Sequence, residues 1–233
     1  MEVTIVPISK IIKKGVWHYQ PYSKAVRDAE AVLKQSPYPI LPLAEVVESA
    51  KRGFFHSNIA NQTETEGIPL IRSINITSGG LDLSSVAYIS STDDDKLHTT
   101  QVQKDDVLVS IVAIAGPINS AVYNLEQSAN ISQHICRLRI KNIISPYYLV
   151  SFLRSNIGQH LLQARLTGSV SRTISIQSLL QLPIICPPLR HQEQIASQVK
   201  AKKAQAARHQ PRAETLQNET NQTFDQLLKE GAL

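Results

Sequence analysis

Cysteine is scarce in this chain. Two occur among 233 residues, Cys136 and Cys186, each inside an apolar, strand-like run. That excludes a disulfide framework and a thiolate metal centre, and free core thiols in a reducing compartment are expected. The seven histidines are scattered without metal-ligand spacing, so no metal is expected. No apolar run approaches the roughly 20 residues of a membrane span. The opening MEVTIVPISKIIKK has its apolar and basic parts in the wrong order for a secretory signal, so a cytoplasmic location is expected. No loop ends in Gly-Lys-Ser/Thr to cradle a phosphate. No glycine-rich cofactor loop follows a strand, and the only Pro-Pro, Pro187-Pro188, lies between Cys186 and Leu189 rather than before an aromatic. With neither a cofactor nor a catalytic signature, the balance favours a binding module over an enzyme.

Basic residues are in excess. The formal charge is +5 and the pI is near 9.2, which suits a polyanionic partner without establishing one.

The pattern along the chain is α+β. One globular domain with a twisted, antiparallel-rich sheet and packed helices is expected, followed by a long C-terminal helical arm of coiled-coil type. Residues 1–39 read as an extension. It carries Trp17, Tyr19 and Tyr22 and a short helix, Lys24 to Gln35, capped by Ser23 and closed by Ser36-Pro37. The domain is expected over 40–188. Ile40 to Val47 suggests a strand running into a helical turn, and Gly67 to Ile76 and Val86 to Ser90 read as strands. Thr92 to Asp95 is an acidic turn, expected to be solvated or to cap the chain that follows. Asp105-Asp106 precede Val107 to Ile114, a nearly continuous apolar run that reads as a buried strand, with Ile118 to Tyr123 as its hairpin partner. His134 to Ile140 alternates: Cys136, Leu138 and Ile140 share one face, and Arg137 and Arg139 the other, expected to be solvated. Ser145-Pro146 opens a helix that runs on through Ala164, and Gly168 lies just past its end.

Leu182 to Cys186 is a short strand, and Pro187-Pro188 then open a helix-prone arm over 189–233 that Pro211 interrupts. Its apolar stripes are narrow. Ile195, Val199, Ala206, Leu216, Phe224 and Leu227 are the candidate contacts to a partner helix, in the same chain, a second copy or another subunit.

Candidate DNA contacts come from the polar loops: Lys51, Arg52, His56, Arg72, Asn75, Ser169, Ser171 and Arg172. Arginine suits guanine, asparagine suits adenine, and small hydroxyls suit a phosphate backbone.

The segment Leu182-Pro183-Ile184-Ile185-Cys186-Pro187-Pro188-Leu189, followed by Gln192-Glu193-Gln194-Ile195, resembles the exit of a target recognition domain. Such domains belong to the DNA specificity subunits of type I restriction–modification systems. Leu41-Pro42-Leu43-Ala44-Glu45-Val46, Ile68-Pro69-Leu70-Ile71-Arg72, Lys104-Asp105-Asp106-Val107-Leu108-Val109-Ser110, Pro146-Tyr147-Tyr148-Leu149 and the Gly168-Ser169 loop are similar in order and spacing. The resemblance spans roughly Ile40 to Ala206. It implies a non-catalytic subunit without a cofactor that binds double-stranded DNA, docks a methyltransferase subunit and is joined by a restriction subunit for cleavage. Complete members carry two recognition domains and two spacer helices, whereas this chain has one of each. A half-subunit that forms a homodimer to read a bipartite site is therefore expected. The alternative is the recognition portion of a fused type II restriction–methyltransferase enzyme.

Overall fold

The computed structural model describes residues 23–54, 66–113, 116–168, 171–208 and 213–230, with the backbone alone at 206–208, 213–218 and 230. His56, Ser169 and Pro211, and the aromatics Trp17, Tyr19 and Tyr22, lie outside the described residues, as do the side chains of Ala206 and Leu216.

In chain order the elements are α1 (Lys24–Gln35), β1 (Ile40–Pro42), α2 (Leu43–Val46), β2 (Val47–Arg52), β3 (Ile68–Ile71), a 3-10 turn (Ser73–Asn75), β4 (Ile76–Thr77), β5 (Gly80–Leu81), β6 (Ala87–Ile89) and α3 (Ser91–Lys96). A second 3-10 turn (His98–Thr100) leads to β7 (Val107–Ser110), β8 (Val112–Ala113), β9 (Ser120–Val122), β10 (Asn130–Ile131), β11 (Ile135–Ile140), α4 (Pro146–Arg154), α5 (Asn156–Gln163), β12 (Arg172–Thr173), α6 (Ile176–Leu180), β13 (Pro183–Ile185), α7 (Leu189–Arg208) and α8 (Ala213–Glu230). No helix among the described residues is long and apolar enough to cross a membrane.

The central sheet is antiparallel, in the order β2-β11-β7-β9. A second sheet runs β10-β3-β6, with β10 parallel to β3. Antiparallel pairing predominates, and the fold is mixed α and β. The apolar run at 107–114 has a simple cause. Val107 and Val109 enter the large core beneath α4 and α5, while Leu108 enters a second cluster with Ile131, Ile135 and Tyr123. A strand buried on both faces has no polar face to alternate with.

Ser23 caps α1 through Val26 N at 3.4 Å, and Val26, Ala29 and Leu33 are buried where the helix packs on α5. The helix expected from Pro146 through Ala164 is instead two. Ser155 breaks it with extended backbone, accepts from Gly158 N at 3.1 Å and donates to Phe152 O at 2.7 Å. Gly158 is required there, because a Cβ would lie 2.0 Å from Phe152 O. Ser145 is the N-cap residue and Pro146 opens the helix; the Ser145 side chain makes no capping hydrogen bond, and its N–H donates to Gln192 Oε1 at 2.7 Å.

Two polar readings are corrected. Arg137 and Arg139 are not a solvated face. Arg139 grips Asp106 with Nε at 3.0 Å and Nη2 at 2.9 Å, and Arg137 Nη1 lies 4.0 Å from the same carboxylate. Nor is the 92–95 turn simply solvated. Asp94 is buried and takes hydrogen bonds from Asn130 Nδ2 and Gln101 Nε2.

The C-terminal helices are not free-standing. α7 and α8 pack on each other, and both pack on α4, while α8 also packs on α5. Ile195, Val199, Phe224 and Leu228 are buried in the large core, with Leu227 half-buried against it. Phe224 seats between Tyr148 and Phe152, with ring centroids 5.9 and 6.3 Å away. The described part of these narrow stripes thus finds its partner within the chain. A stripe too thin to support an isolated helix can be satisfied by any apolar surface, and periodicity does not say which.

Gln192 bolts α7 in place. Its Oε1 accepts from Ser145 N at 2.7 Å, and its Nε2 donates to Ile143 O at 3.0 Å and Pro187 O at 2.7 Å. The Gln-Glu-Gln segment therefore contributes a buried amide that fixes the direction in which the helix leaves the domain.

Asp225 gives α8 a pH-dependent hold. It meets the Ile157 N–H in the first turn of α5, while Lys229 lies one turn along its own helix. Its Oδ1 is buried without a hydrogen-bond partner. Burial pushes its pKa up to about 6 from 3.8, with Lys229 and the Ile157 N–H acting the other way. A carboxyl raised on folding favours the folded state at low pH, and that contribution is lost as pH rises through about 6. Thermal melts of Asp225→Asn against the parent chain should diverge across that window. The variant should be the more stable above it and similar below it.

Candidate nucleic-acid interface

Strands β2 and β7 are both antiparallel to β11, so they run parallel to each other and end on the same side of the sheet. Lys51 and Arg52 close β2 there, and both are exposed. Arg52 Nε donates to Gln133 O at 2.7 Å, which ties the end of β2 to the turn before β11. Gly53 permits this approach, since a Cβ would stand 2.2 Å from Ser132 O. Any side chain at 53 would push the turn and the strand end apart.

Two further segments join this end. His134 O accepts from Ile111 N at 2.9 Å, and Ile111 O accepts from Ile174 N at 3.0 Å. The β12–β8 ladder pairs Arg172 with Ala113. Thr167 and Thr173 exchange both backbone hydrogen bonds at 2.8 Å, so the loop that carries exposed Ser171 and half-buried Arg172 is closed at its base. Gly168 has φ 101° and faces Ser171 O, which a Cβ would meet at 2.6 Å. Ser132 N donates to Ile71 O at 3.0 Å and brings in the loop that begins at Arg72.

The expected contacts therefore divide. Lys51, Arg52, Ser171 and Arg172 converge on one end of the sheet from segments about 120 residues apart. Asn75 is removed from the set: it is fully buried, its Oδ1 accepting from Arg72 N and its Nδ2 donating to Asp82 O. It braces a loop and has no edge to offer a base. Arg72 is half-buried, with Nη2 on Ser85 O at 3.1 Å, so it too serves its own loop. His134 was not foreseen. It is exposed between Arg52 and the 111–113 segment, and only its position beside an alternating strand could have marked it. Arg154 was also missed. Its guanidinium donates to Ser120 O at 2.7 Å, Ser78 O at 2.5 Å and Thr77 O at 2.6 Å, and burial pulls its pKa down to about 10. With three of its N–H groups on carbonyls it clamps the β4–β5 turn to the start of β9.

Burial pushes the Cys136 thiol up to about 12, so it stays protonated and inert. Among the described residues no three His, Cys, Asp or Glu side chains are grouped to hold a metal ion.

Fold and rim together define a mixed α and β domain with exposed basic side chains at one end of its central sheet. Residues 36–214 match the family model described as type I restriction modification DNA specificity domain, and the chain belongs to that family. The family's role is specificity, a non-catalytic one. One curated relative is the type I restriction enzyme EcoBI specificity subunit of Escherichia coli, 28% identical over 135 residues, or 58% of this chain and 28% of that protein. The HsdS subunit of Thermoanaerobacter tengcongensis has a similar fold, with a TM-score of 0.54 at 18% identity over 95% of this chain and 55% of the other. A structure of an assembled type I restriction–modification system aligns with a TM-score of 0.56 at 16% identity, over 96% of this chain and 55% of the other. The type IIG restriction endonuclease BpuSI aligns with a TM-score of 0.58 at 10% identity, over 97% of this chain and 36% of that enzyme. The chain spans under a third of its curated relative and a little over half of the two type I chains.

Proposed function

We propose that this chain is a DNA specificity subunit that reads double-stranded DNA through the rim formed by Lys51, Arg52, His134, Ser171 and Arg172. It then brings a partner methyltransferase subunit, and a restriction subunit, to that site. The observation that carries this reading is the convergence of exposed basic and hydroxyl side chains from three distant segments on one end of the sheet. Family membership supplies the ligand class. His56 and Ser169, which flank the same segments in sequence, belong to the proposed surface by sequence alone.

The test is duplex binding over a range of salt concentrations. Phosphate contacts release counterions, so Arg52→Ala and Arg172→Ala should each weaken binding and lower the salt slope by about one. Circular dichroism and a thermal melt of each variant should show the fold retained, since Arg52 is exposed and gives up one hydrogen bond to Gln133 O, while Arg172 is half-buried. Unaltered affinity in both variants would remove this rim from the interface.

The arrangement we propose is a subunit that pairs with a second copy to read a bipartite site. Ile195, Val199 and Phe224 are occupied within the chain. The exposed flank of α7, with Glu193 and Lys200 two turns apart, is then the surface available for isologous, charge-complementary pairing. Light scattering should return twice 25.8 kDa. A second reading, the recognition portion of a fused restriction–methyltransferase polypeptide, is favoured by the likeness to BpuSI. An immunoblot of the native protein separates the two, because the fused form runs far above 25.8 kDa.

A further inference from the structure

Ile74 is the most exposed large apolar side chain among the described residues, at 62%. A lone surface isoleucine needs no explanation as a rule. This one sits at the centre of a 3-10 turn held from several sides. Arg72 N donates to Asn75 Oδ1 at 2.9 Å, and Asn75 N returns to Arg72 O at 2.9 Å. Asn75 Nδ2 donates to Asp82 O at 3.0 Å, and Asp82 N donates to Asn75 O at 2.8 Å. Arg72 Nη2 reaches Ser85 O at 3.1 Å. With Asn75 fully buried beneath it, the turn displays Ile74 on a stiff base, so a contact there would incur little ordering cost.

Both flanks of the turn are fastened to the recognition end. On one side Ile71 O accepts from Ser132 N at 3.0 Å, next to the Gln133 carbonyl that Arg52 holds. On the other, Arg154 bonds Thr77 O and Ser78 O and, through Nε, Ser120 O at the start of β9. Exposed Ile40, Ile143 and Leu189 lie elsewhere, on the segments that lead into α7.

An aliphatic side chain offers a base edge neither donor nor acceptor. Against most base edges it would leave a polar group unpaired, at a cost. The thymine 5-methyl in the major groove is the feature it can meet without that loss. We propose that Ile74 reads a thymine methyl group in bound duplex DNA. The inference rests on the DNA-reading function proposed above and adds a base-specific contact to its basic rim.

Duplexes enriched from a randomised pool by the full chain provide the probe. Each is remade with deoxyuridine for thymine, which removes only the methyl groups. The parent chain should lose about fourfold in affinity, the worth of one buried methyl. Ile74→Ser should bind the thymine duplex about fourfold more weakly than the parent and be indifferent to uracil. Its salt slope should equal the parent's, since no phosphate contact is touched. A parent chain indifferent to uracil overturns the thymine assignment. An Ile74→Ser variant still sensitive to uracil overturns the part given to Ile74. If the parent chain enriches no duplex, the DNA-reading function fails and this contact fails with it.

Discussion

Asp106→Ala is expected to destabilise the domain by about 3–5 kcal/mol, the largest effect of any single polar substitution foreseen here. The carboxylate is 2% exposed. It takes two hydrogen bonds from Arg139, lies 4.0 Å from Arg137 and accepts from Gln103 N at 2.9 Å. Removing it leaves Arg137 almost wholly buried without its counter-charge. Burial, together with the charge of Arg139, already lowers the Arg137 pKa, and Asp106 is what opposes them. Arg137 would keep only Gln101 O at 3.2 Å and Ser49 Oγ at 3.3 Å, and its Nε has no partner even now. Urea denaturation should show a lower midpoint at an unchanged slope. Replacing Asp106, Arg137 and Arg139 together by apolar residues of similar volume should recover much of the loss, because the cost comes from leaving a charge unpaired rather than from losing a strong pair. A triple variant no more stable than Asp106→Ala would refute that account.

Phe224→Ala should cost about 3–5 kcal/mol of α8 docking. The ring is 1% exposed and sits against Tyr148 and Phe152. Tyr148 is itself anchored by a 2.7 Å hydrogen bond to Ile185 O, so the pocket has little freedom to collapse into the cavity. Because α8 is held to the body by packing rather than by a sheet ladder, the loss should appear first as local release of that helix. Amide exchange along α8 should accelerate, and proteolysis should cut between α7 and α8, while the β2-β11-β7-β9 sheet keeps its protection. Exchange that speeds up equally in sheet and helix would show instead that the two unfold as one unit.

Much of the fold was legible because local rules determine it. Ser23 and the proline after Ser36 bracket α1, and β-branched residues mark β7. The alternation over 136–140 marks β11, and Pro187-Pro188 announce α7. The errors come from side-chain partners that residue type and periodicity do not specify, some far along the chain and some within one or two turns. The arginine face of β11 looked solvated because the carboxylate that neutralises it comes from the turn before β7. Asn75 looked like a base reader because amides in polar loops often face outward, and nothing nearby in sequence reveals that Asp82 and Arg72 consume its hydrogen bonds. The helix from Pro146 breaks at Ser155 although the apolar period carries through, because Ser155 bonds both turns and Gly158 lets them touch. On the candidate interface, the loops at Lys51–Arg52 and Ser171–Arg172 were recognisable as polar and basic. That they lie at the same end of the sheet, with His134 between them, follows from strand pairing.

The sequence by itself determined most of the element types and the specificity-domain family, because these depend on short-range pattern and spacing. Tertiary structure decided which charges are buried and paired, and which loops share one rim. It also decided where the apolar stripes of α7 and α8 are spent. Burial and pairing are properties of distant partners, and a stripe or an arginine carries no mark of the residue it will meet.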